Sequence, residues 1–329
     1  MAFEIEMLSV GAADAIVVRY FNTHDQEIVI LIDAGNKGDG KKIVDHIQKY
    51  TDQKYIDLAI CTHPDGDHIG GFFYVVENIE IKEFWIHDPA NHKVEVQKIR
   101  DELGYDNEIE KALKYVFESL NFSESLISLI DKKGIKRDRE PFAGLKYEYA
   151  PLTVVGPTKS YYEILLSRFR DINQLFEEES LLIKAEIGGE PIFELLNSQQ
   201  LIDKDNDRSK ENNSSVILLF TPQEGRYLFT SDAGPIALKK AHDEYDLSDL
   251  DWLDVPHHGS RYNINSELIN IFKPKVAYIS CDGSKHYPNP AVVKELKKIN
   301  CRVYSTANGT KLHRKGIALR LGYHATVPL

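Results

Sequence analysis

Cysteine is scarce in this chain of 329 residues: Cys61, Cys281 and Cys301 lie far apart, with no CxxC pair. That spacing excludes a disulfide framework and a thiolate zinc knuckle, and leaves small thiols suited to a core in a reducing compartment. Long apolar runs are missing too. No stretch of ~18 apolar residues, the length a membrane helix requires, occurs anywhere. The opening Met1-Ala-Phe-Glu-Ile-Glu-Met7 sets charges where a secretory signal needs an apolar segment. The expectation is a soluble, cytoplasmic protein with no membrane partner. Positive charge is in deficit, with 40 Lys plus Arg against 51 Asp plus Glu and a net charge of −11. Such a surface repels polyanions at long range, so a tight sequence-reading DNA binder is disfavoured. A nucleic-acid substrate would have to be gripped by local cations and by metal. Repeats at a fixed period and low-complexity tracts are also absent.

What is present is strand-like at both ends and helical in the middle. Phe3 to Val10, Ala15 to Tyr20, Glu27 to Asp33 and Ile56 to Cys61 read as strands, with a helix over Lys41 to Tyr50. Apolar residues recur at helical spacing from Val94 to Asp131 and from Tyr161 to Glu186, with a strand pair expected between them over Leu145 to Val155. Leu201 to Asn213 reads as a solvated loop. Ser215 to Phe220 and Arg226 to Thr230 then form a hairpin, before a helix over Ile236 to Glu244. Strands follow at Trp252 to Val255, Val276 to Ser280 and Arg302 to Ser305, helices at Glu267 to Phe272 and Ala291 to Lys298, and a closing hairpin near Arg314 to Gly316. The expected organisation is a single α/β domain over 1–329: two sheets between helices, with a helical insertion at about 90–200.

The chemistry concentrates in His63-Pro-Asp-Gly-Asp-His68, directly after the apolar run Leu58 to Cys61 and before Gly70-Gly71. Imidazole nitrogens and carboxylate oxygens hold divalent first-row metals, so a strand ending in this segment is a metal cradle. Alternation along an extended loop would let His63, Asp65 and Asp67 converge while His68 turns to a neighbouring site. Asp67 and His68 facing a second ion would give a metal pair at the ~3.5 to 4 Å separation used in hydrolysis. Asp232, at the end of another apolar strand, could bridge the ions. His257 and His258 end a further strand, Asn213 and Ser214 open one, and Lys285 and His286 lie in the loop Ser280 to Pro288. Asp33 reads as a carboxylate that caps a turn or orients a ligand histidine, and Asn213 as a loop-ordering side chain.

The order and wording of these segments resemble the metallo-β-lactamase superfamily, and within it the subgroup formed by the C-terminal domain of the ComEC competence DNA-uptake channel. Val10-Gly-Ala-Ala-Asp-Ala15 and Ile32-Asp-Ala-Gly35 are similar to that subgroup's opening motifs, and His63 to Gly71 fits its HxDxDHxGG motif. Asn213-Ser214 with Val216 to Leu219, Asp232, Pro256-His-His-Gly-Ser260 and the loop from Lys285 to Pro290 take up the later ones. The resemblance implies an αββα sandwich and a metal-dependent hydrolase, with a hydroxide held between two divalent ions. By the same analogy His63, Asp65 and Asp232 hold the first ion, and Asp67, His68, Asp232 and His258 the second. His257 then faces the substrate.

Two divalent ions, three carboxylates and one hydroxide sum to zero charge, so an anionic phosphodiester needs further cations. Arg261, Lys285 and His286 are the candidates. The oxygen donor Asp65 hardens the first site, which admits manganese or magnesium beside zinc. The leading expectation is a phosphodiesterase, DNA nuclease first, in a defence or DNA-processing role, with Asp67, His257, Lys285 and His286 as catalytic residues. Its alternatives are a hydrolase of small thioesters, lactones or phosphoesters, and a regulatory subunit whose helical insertion docks a protein partner.

Overall fold

The computed structural model describes residues 2–102, 113–166, 206–319 (without 208, 224, 285 and 286) and 328–329. Two mixed sheets stack face to face. In the first, β1 (Ala2–Met7), β2 (Ile16–Phe21), β3 (Glu27–Ile32), β4 (Ile56–Ile60) and β5 (Ile81–Trp85) follow chain order, and β12 (Lys311–Lys315) closes the far edge against β1. The second runs backwards from β11 (Arg302–Ser305) through β10 (Val276–Ile279), β9 (Trp252–Asp254), β8 (Tyr227–Phe229) and β7 (Ile217–Phe220) to β6 (Leu152–Gly156).

Both faces of each sheet are covered, and the sequence shows it. In β3, Ile28, Ile30 and Ile32 point into the layer between the sheets while Val29 and Leu31 point outward, so the strand is apolar at every position after Glu27. Phe3, Phe220, Phe229, Trp252 and Tyr278 fill the inter-sheet layer. The helices that follow the strands of the first sheet are α1 (Gly40–Tyr50), α2 (Gly66–Ile69), α3 (Phe72–Asn78), α4 (Lys93–Glu102) and α5 (Leu113–Lys132); α1, α3 and α5 lie behind that sheet, the last through Leu126, Ile127 and Ile130. Behind the second lie helices at Pro235–Tyr245, Ser266–Phe272 and Pro290–Lys298. This is the expected αββα sandwich. No helix among the described residues is long and apolar enough to cross a membrane.

Several sequence expectations shift. Leu145 to Val155 is one strand rather than two, because the segment before it turns at Gly144 and Ala150-Pro151 and contributes only the bridge of Lys146 to Thr153. The polar stretch before Asn213 ends in a short helix, Lys210–Asn213, capped by Ser209. The closing segment Lys311–Lys315 pairs with β1, and most of what would be the second arm of the expected hairpin, from residue 320 on, lies outside the described residues. Within the span 90–200, β6 is an edge strand of the second sheet and α5 packs on the first, so these two elements belong to the sandwich. Residues 103–112 and 167–205 lie outside the described set, and with them most of the predicted helix Tyr161 to Glu186, of which Lys159–Leu166 is seen.

The glycine pair after the metal motif has a steric cause. A Cβ on Gly71 would stand 1.9 Å from the Ala34 carbonyl oxygen, and one on Gly70 would stand 2.6 Å from the Lys37 nitrogen. The chain after His68 therefore rests directly on the turn after β3. We expect Gly71→Ala to destabilise the fold by about 1–3 kcal/mol, read as a lower urea midpoint with an unchanged slope.

A second buried polar cluster ties the end of the first sheet to the segments that follow it. His92 Nδ1 lies 2.9 Å from Glu163 and Nε2 lies 3.1 Å from Glu140. Burial opposes charging of His92, but the two carboxylates outweigh it and raise its pKa. Burial likewise opposes the Glu140 carboxylate, yet His92, Asn91 and the Asp88 N–H bring it down to about 2. The His92 contribution is full below its unfolded pKa and is lost as pH rises through the raised value. The Glu140 contribution is present above its unfolded pKa and fades as pH falls toward about 2. Glu140→Gln is therefore expected to lose about 1.5–3 kcal/mol near pH 5.5 and clearly less at pH 9, measured by urea unfolding at both.

Candidate metal centre

Seven of the predicted residues meet where the strand ends of the two sheets face each other. From the first sheet come the segment after β4, carrying His63 and Asp65, and a short helix α2 (Gly66–Ile69), carrying Asp67 and His68. From the second come Asp232 after β8, and His257 and His258 after β9. Carboxyl ends of parallel strands are where open α/β sheets collect ligands. The parallel run β3-β4-β5 and the parallel run β8-β9-β10-β11 each present theirs here.

The helical turn changes how the motif is used. Extended alternation would have grouped Asp67 with His63 and Asp65; the turn at 66–69 instead swings Asp67 Oδ2 to 3.3 Å from His258 Nε2 and 3.7 Å from His68 Nε2. Asp65 Oδ2 stays 3.8 Å from His63 Nε2. Asp232 stands between the two groups: Oδ2 lies 3.8 Å from His63 Nε2 and 3.7 Å from His257 Nε2, while Oδ1 lies 3.4 Å from His68 Nε2.

Three overlapping sets of donor atoms converge within 4.8 Å: His63 with His68 and Asp232, Asp67 with His68 and His258, and, on the Nδ1 side of the His68 ring, Asp14 with Asp33 and His68. His63 Nε2, His68 Nε2 and Asp232 Oδ1 are buried with no hydrogen-bond partner. Buried polar atoms are rarely left so, and these three aim into one space. The donor set fits divalent cations.

The ring nitrogens that face away are held. Asp33 Oδ2 accepts from His68 Nδ1 at 2.8 Å, and its two oxygens also accept from the Thr62 amide and hydroxyl at 2.8 and 2.6 Å. Asp33 thus orients a histidine, as its sequence context suggested. Thr62 and Ser231 hydroxyls stand 3.2 and 3.3 Å from His63 Nδ1. His258 Nδ1 donates to the Ser280 carbonyl at 3.0 Å, and the Ser280 hydroxyl donates to Asp14. Asn213 donates to the carbonyls of Asp207 and Ser209 at 3.2 and 2.7 Å, which orders the loop.

Electrostatics point the same way. Burial opposes the Asp232 carboxylate, yet His257, His68 and His63 drive its pKa well below the usual range. Burial also opposes charge on His68, but Asp232, Asp67 and Asp33 together raise its pKa far above an ordinary imidazole's. Further out, burial lifts Asp254 well above the usual carboxylate range, and Asp14 adds to the lift. The cavity is built to surround positive charge.

The backbone is strained in and beside the donor cluster. Asp33, Ser231, His257 and His258 have φ of 56°, 48°, 49° and 55°, a region that residues with a Cβ seldom adopt. Such outliers persist where the surrounding structure over-determines them, as functional sites do.

Other predicted residues fare differently. Arg261, expected to attract phosphate, is 6% exposed, stacks 4.1 Å over the Tyr262 ring and donates to its hydroxyl. Lys285 and His286 lie outside the described residues. His257 is the most open of the four histidines, with 26% of its side chain exposed against 3% or less for the others. Sequence reasoning gave no role to Asp14, Asp207, Ser231 or Asn263. Their one legible signal was proximity to motif residues, and Asp207 lacked even that.

Over residues 8–129 the chain matches the Metallo-beta-lactamase superfamily. It is 30% identical over 111 residues to ComE operon protein 3 of Bacillus subtilis (strain 168), a stretch that covers 33% of this chain and 14% of that relative. Among solved structures, the rubredoxin oxygen:oxidoreductase from the anaerobe Desulfovibrio gigas aligns with a TM-score of 0.31 and 8% identity, covering 92% of this chain and 83% of that one.

Proposed function

We propose that this chain, which has the metallo-β-lactamase fold and is similar over part of its length to ComE operon protein 3, is a metal-dependent hydrolase of phosphodiesters, those of DNA first. The observation that carries the reading is Asp232, whose Oδ2 faces His63 and His257 and whose Oδ1 faces His68, the imidazole shared by the donor sets. His63, Asp65 and Asp232 would hold one ion, and Asp67, His68, Asp232 and His258 the other. Zinc and manganese both suit these donors, and magnesium is admitted by the acids. Such ions supply an activated water and offset charge that builds on phosphoryl oxygens.

The chain's own residues do the rest. Asp33 and Ser280 keep His68 and His258 turned inward through their Nδ1 atoms. His257, the partly exposed imidazole, presents Nε2 at the mouth of the centre, where a proton can be handed to a departing oxygen. Burial opposes its charging, but Asp232 and Asp207 lift its pKa to about 9. A cleft lined by Thr62, His63, Pro64, His87, Tyr162 and Ser214 opens beside the first group.

The test incubates end-labelled linear and circular DNA with manganese, magnesium or zinc, beside an Asp67→Ala control. Metal-dependent cleavage that the control loses supports the reading. Intact DNA together with turnover of small thioesters, lactones or phosphoesters would replace it with the metabolite hydrolase, for which the engaged Arg261 argues. Failure on all substrates, with a protein partner bound equally by Asp67→Ala, would favour the regulatory subunit.

A further inference from the structure

We infer that Asp207, acting through the amide of Asn263, holds a proton on Nδ1 of His257 whether or not the ring is charged, so that Nε2 is the nitrogen that gains or gives up the proton used at the centre and Asp207 and Asn263 are positioning residues for it.

The derivation begins with Asn263, whose side chain is fully buried. Its Nδ2 donates to Asp207 Oδ2 at 2.7 Å and to the Asp232 carbonyl at 2.9 Å. Both partners only accept, and an amide has two N–H hydrogens to give. Flipping the amide would set its oxygen against two acceptors, so Oδ1 must stay on the opposite side. There it lies 3.1 Å from His257 Nδ1. An amide oxygen has no hydrogen to offer. The contact is a hydrogen bond when Nδ1 carries the proton.

Asn212 is the competing neighbour, with Nδ2 at 3.2 Å from the same nitrogen. Were it to donate there, Nδ1 would be bare and the proton would move to Nε2. Charge decides between the two. Asp207 Oδ2 stands 3.7 Å from His257 Nδ1 and takes the Asn212 amide for itself at 2.7 Å. An N–H facing a carboxylate is favourable and a lone pair facing one is not. Asp207 is in turn pinned, its Oδ1 accepting from Ser209 N at 2.7 Å and its own N–H bonded to the Tyr262 carbonyl at 2.7 Å. With Nδ1 committed, Nε2 is the nitrogen that serves the centre, 3.7 Å from Asp232 Oδ2. The order of control is Asp207, Asn263, His257.

The test is long-range proton–nitrogen correlation on full-length, ¹⁵N-histidine-labelled protein with zinc added. Wild type is expected to show His257 protonated at Nδ1, with a proton that exchanges slowly with water. Asp207→Asn removes the deciding charge and lets Asn212 donate, so the proton should pass in part to Nε2. Asn263→Leu removes the acceptor and should make the Nδ1 proton exchange fast. The remaining histidine signals report whether each variant is folded.

A kinetic arm rests on the phosphodiesterase reading: kcat should fall roughly 10- to 100-fold in both variants while KM stays within about twofold, the usual consequence of losing the group that orients an active-site imidazole. A bare Nδ1 in wild type would overturn the inference, even if neither variant folds. So would two folded variants that keep a slow Nδ1 proton. If wild type cleaves no phosphodiester, the nuclease reading falls and the spectra alone decide the roles of Asp207 and Asn263.

Discussion

On the phosphodiesterase reading, Asp232→Ala is expected to lose at least about 100-fold in cleavage, more than the removal of a residue that merely orients a ligand. The reason is positional. His63 and His257 face one of its oxygens and His68, the imidazole that the donor groups share, faces the other, so a single substitution takes a donor from the first group and an acid from beside the second. Asp67→Ala, by contrast, strips only the group that contains His68 and His258. Elemental analysis of protein purified without chelator should then separate the two variants. Asp232→Ala should carry less metal than Asp67→Ala, and both less than wild type. Equal metal content in Asp232→Ala and wild type would remove Asp232 from the centre, whatever its effect on rate.

Chelation should lower the melting temperature by several degrees, and added manganese or zinc should restore it. An ion that binds the folded chain alone stabilises it by about 4 kcal/mol when present at a thousand times its Kd. The ligands come from segments as distant as His63 and His258, so the unfolded chain has no comparable site. The buried His63 and His68 Nε2 atoms and Asp232 Oδ1 find no hydrogen-bond partner within the chain, so an ion that engages them adds to the stability of the fold. Differential scanning calorimetry before and after chelator reads the shift. A sample shown to contain metal, stripped of it, and melting unchanged would mean that the ions bind elsewhere.

Much of this centre was legible in the sequence because its residues sit in short runs at strand ends. Four donors in six positions after Leu58 to Cys61, a glycine pair behind them, Asp232 after Phe229 and paired histidines after Val255 all declare themselves locally. The role of Asp33 was readable for the same reason. What was not legible depends on geometry that spacing does not encode. Only a turn of helix over Gly66–Ile69 decides that Asp67 looks toward His258 rather than His63. Arg261 reads as a free cation, yet stacking on its neighbour Tyr262 buries it. Asp207 and Asn263 are ordinary polar residues in loop sequence, and their meaning comes from a hydrogen-bond chain across 56 positions. Periodicity gave the strands of both sheets but could not say that β12 would return to β1, a pairing across the whole chain.

The split of the ligand set between two halves of the sandwich bears on how the protein is made. While a ribosome is still synthesising the chain, a product that stops short of Asp232 holds His63, Asp65, Asp67 and His68 but none of the donors that complete either group. The first sheet itself lacks its last edge until Lys311–Lys315 emerges to pair with β1. A polypeptide that stops short of Asp232 therefore has neither of these two donor sets complete, and hydrolysis at this centre has to wait until the strands of the second sheet have been made and paired.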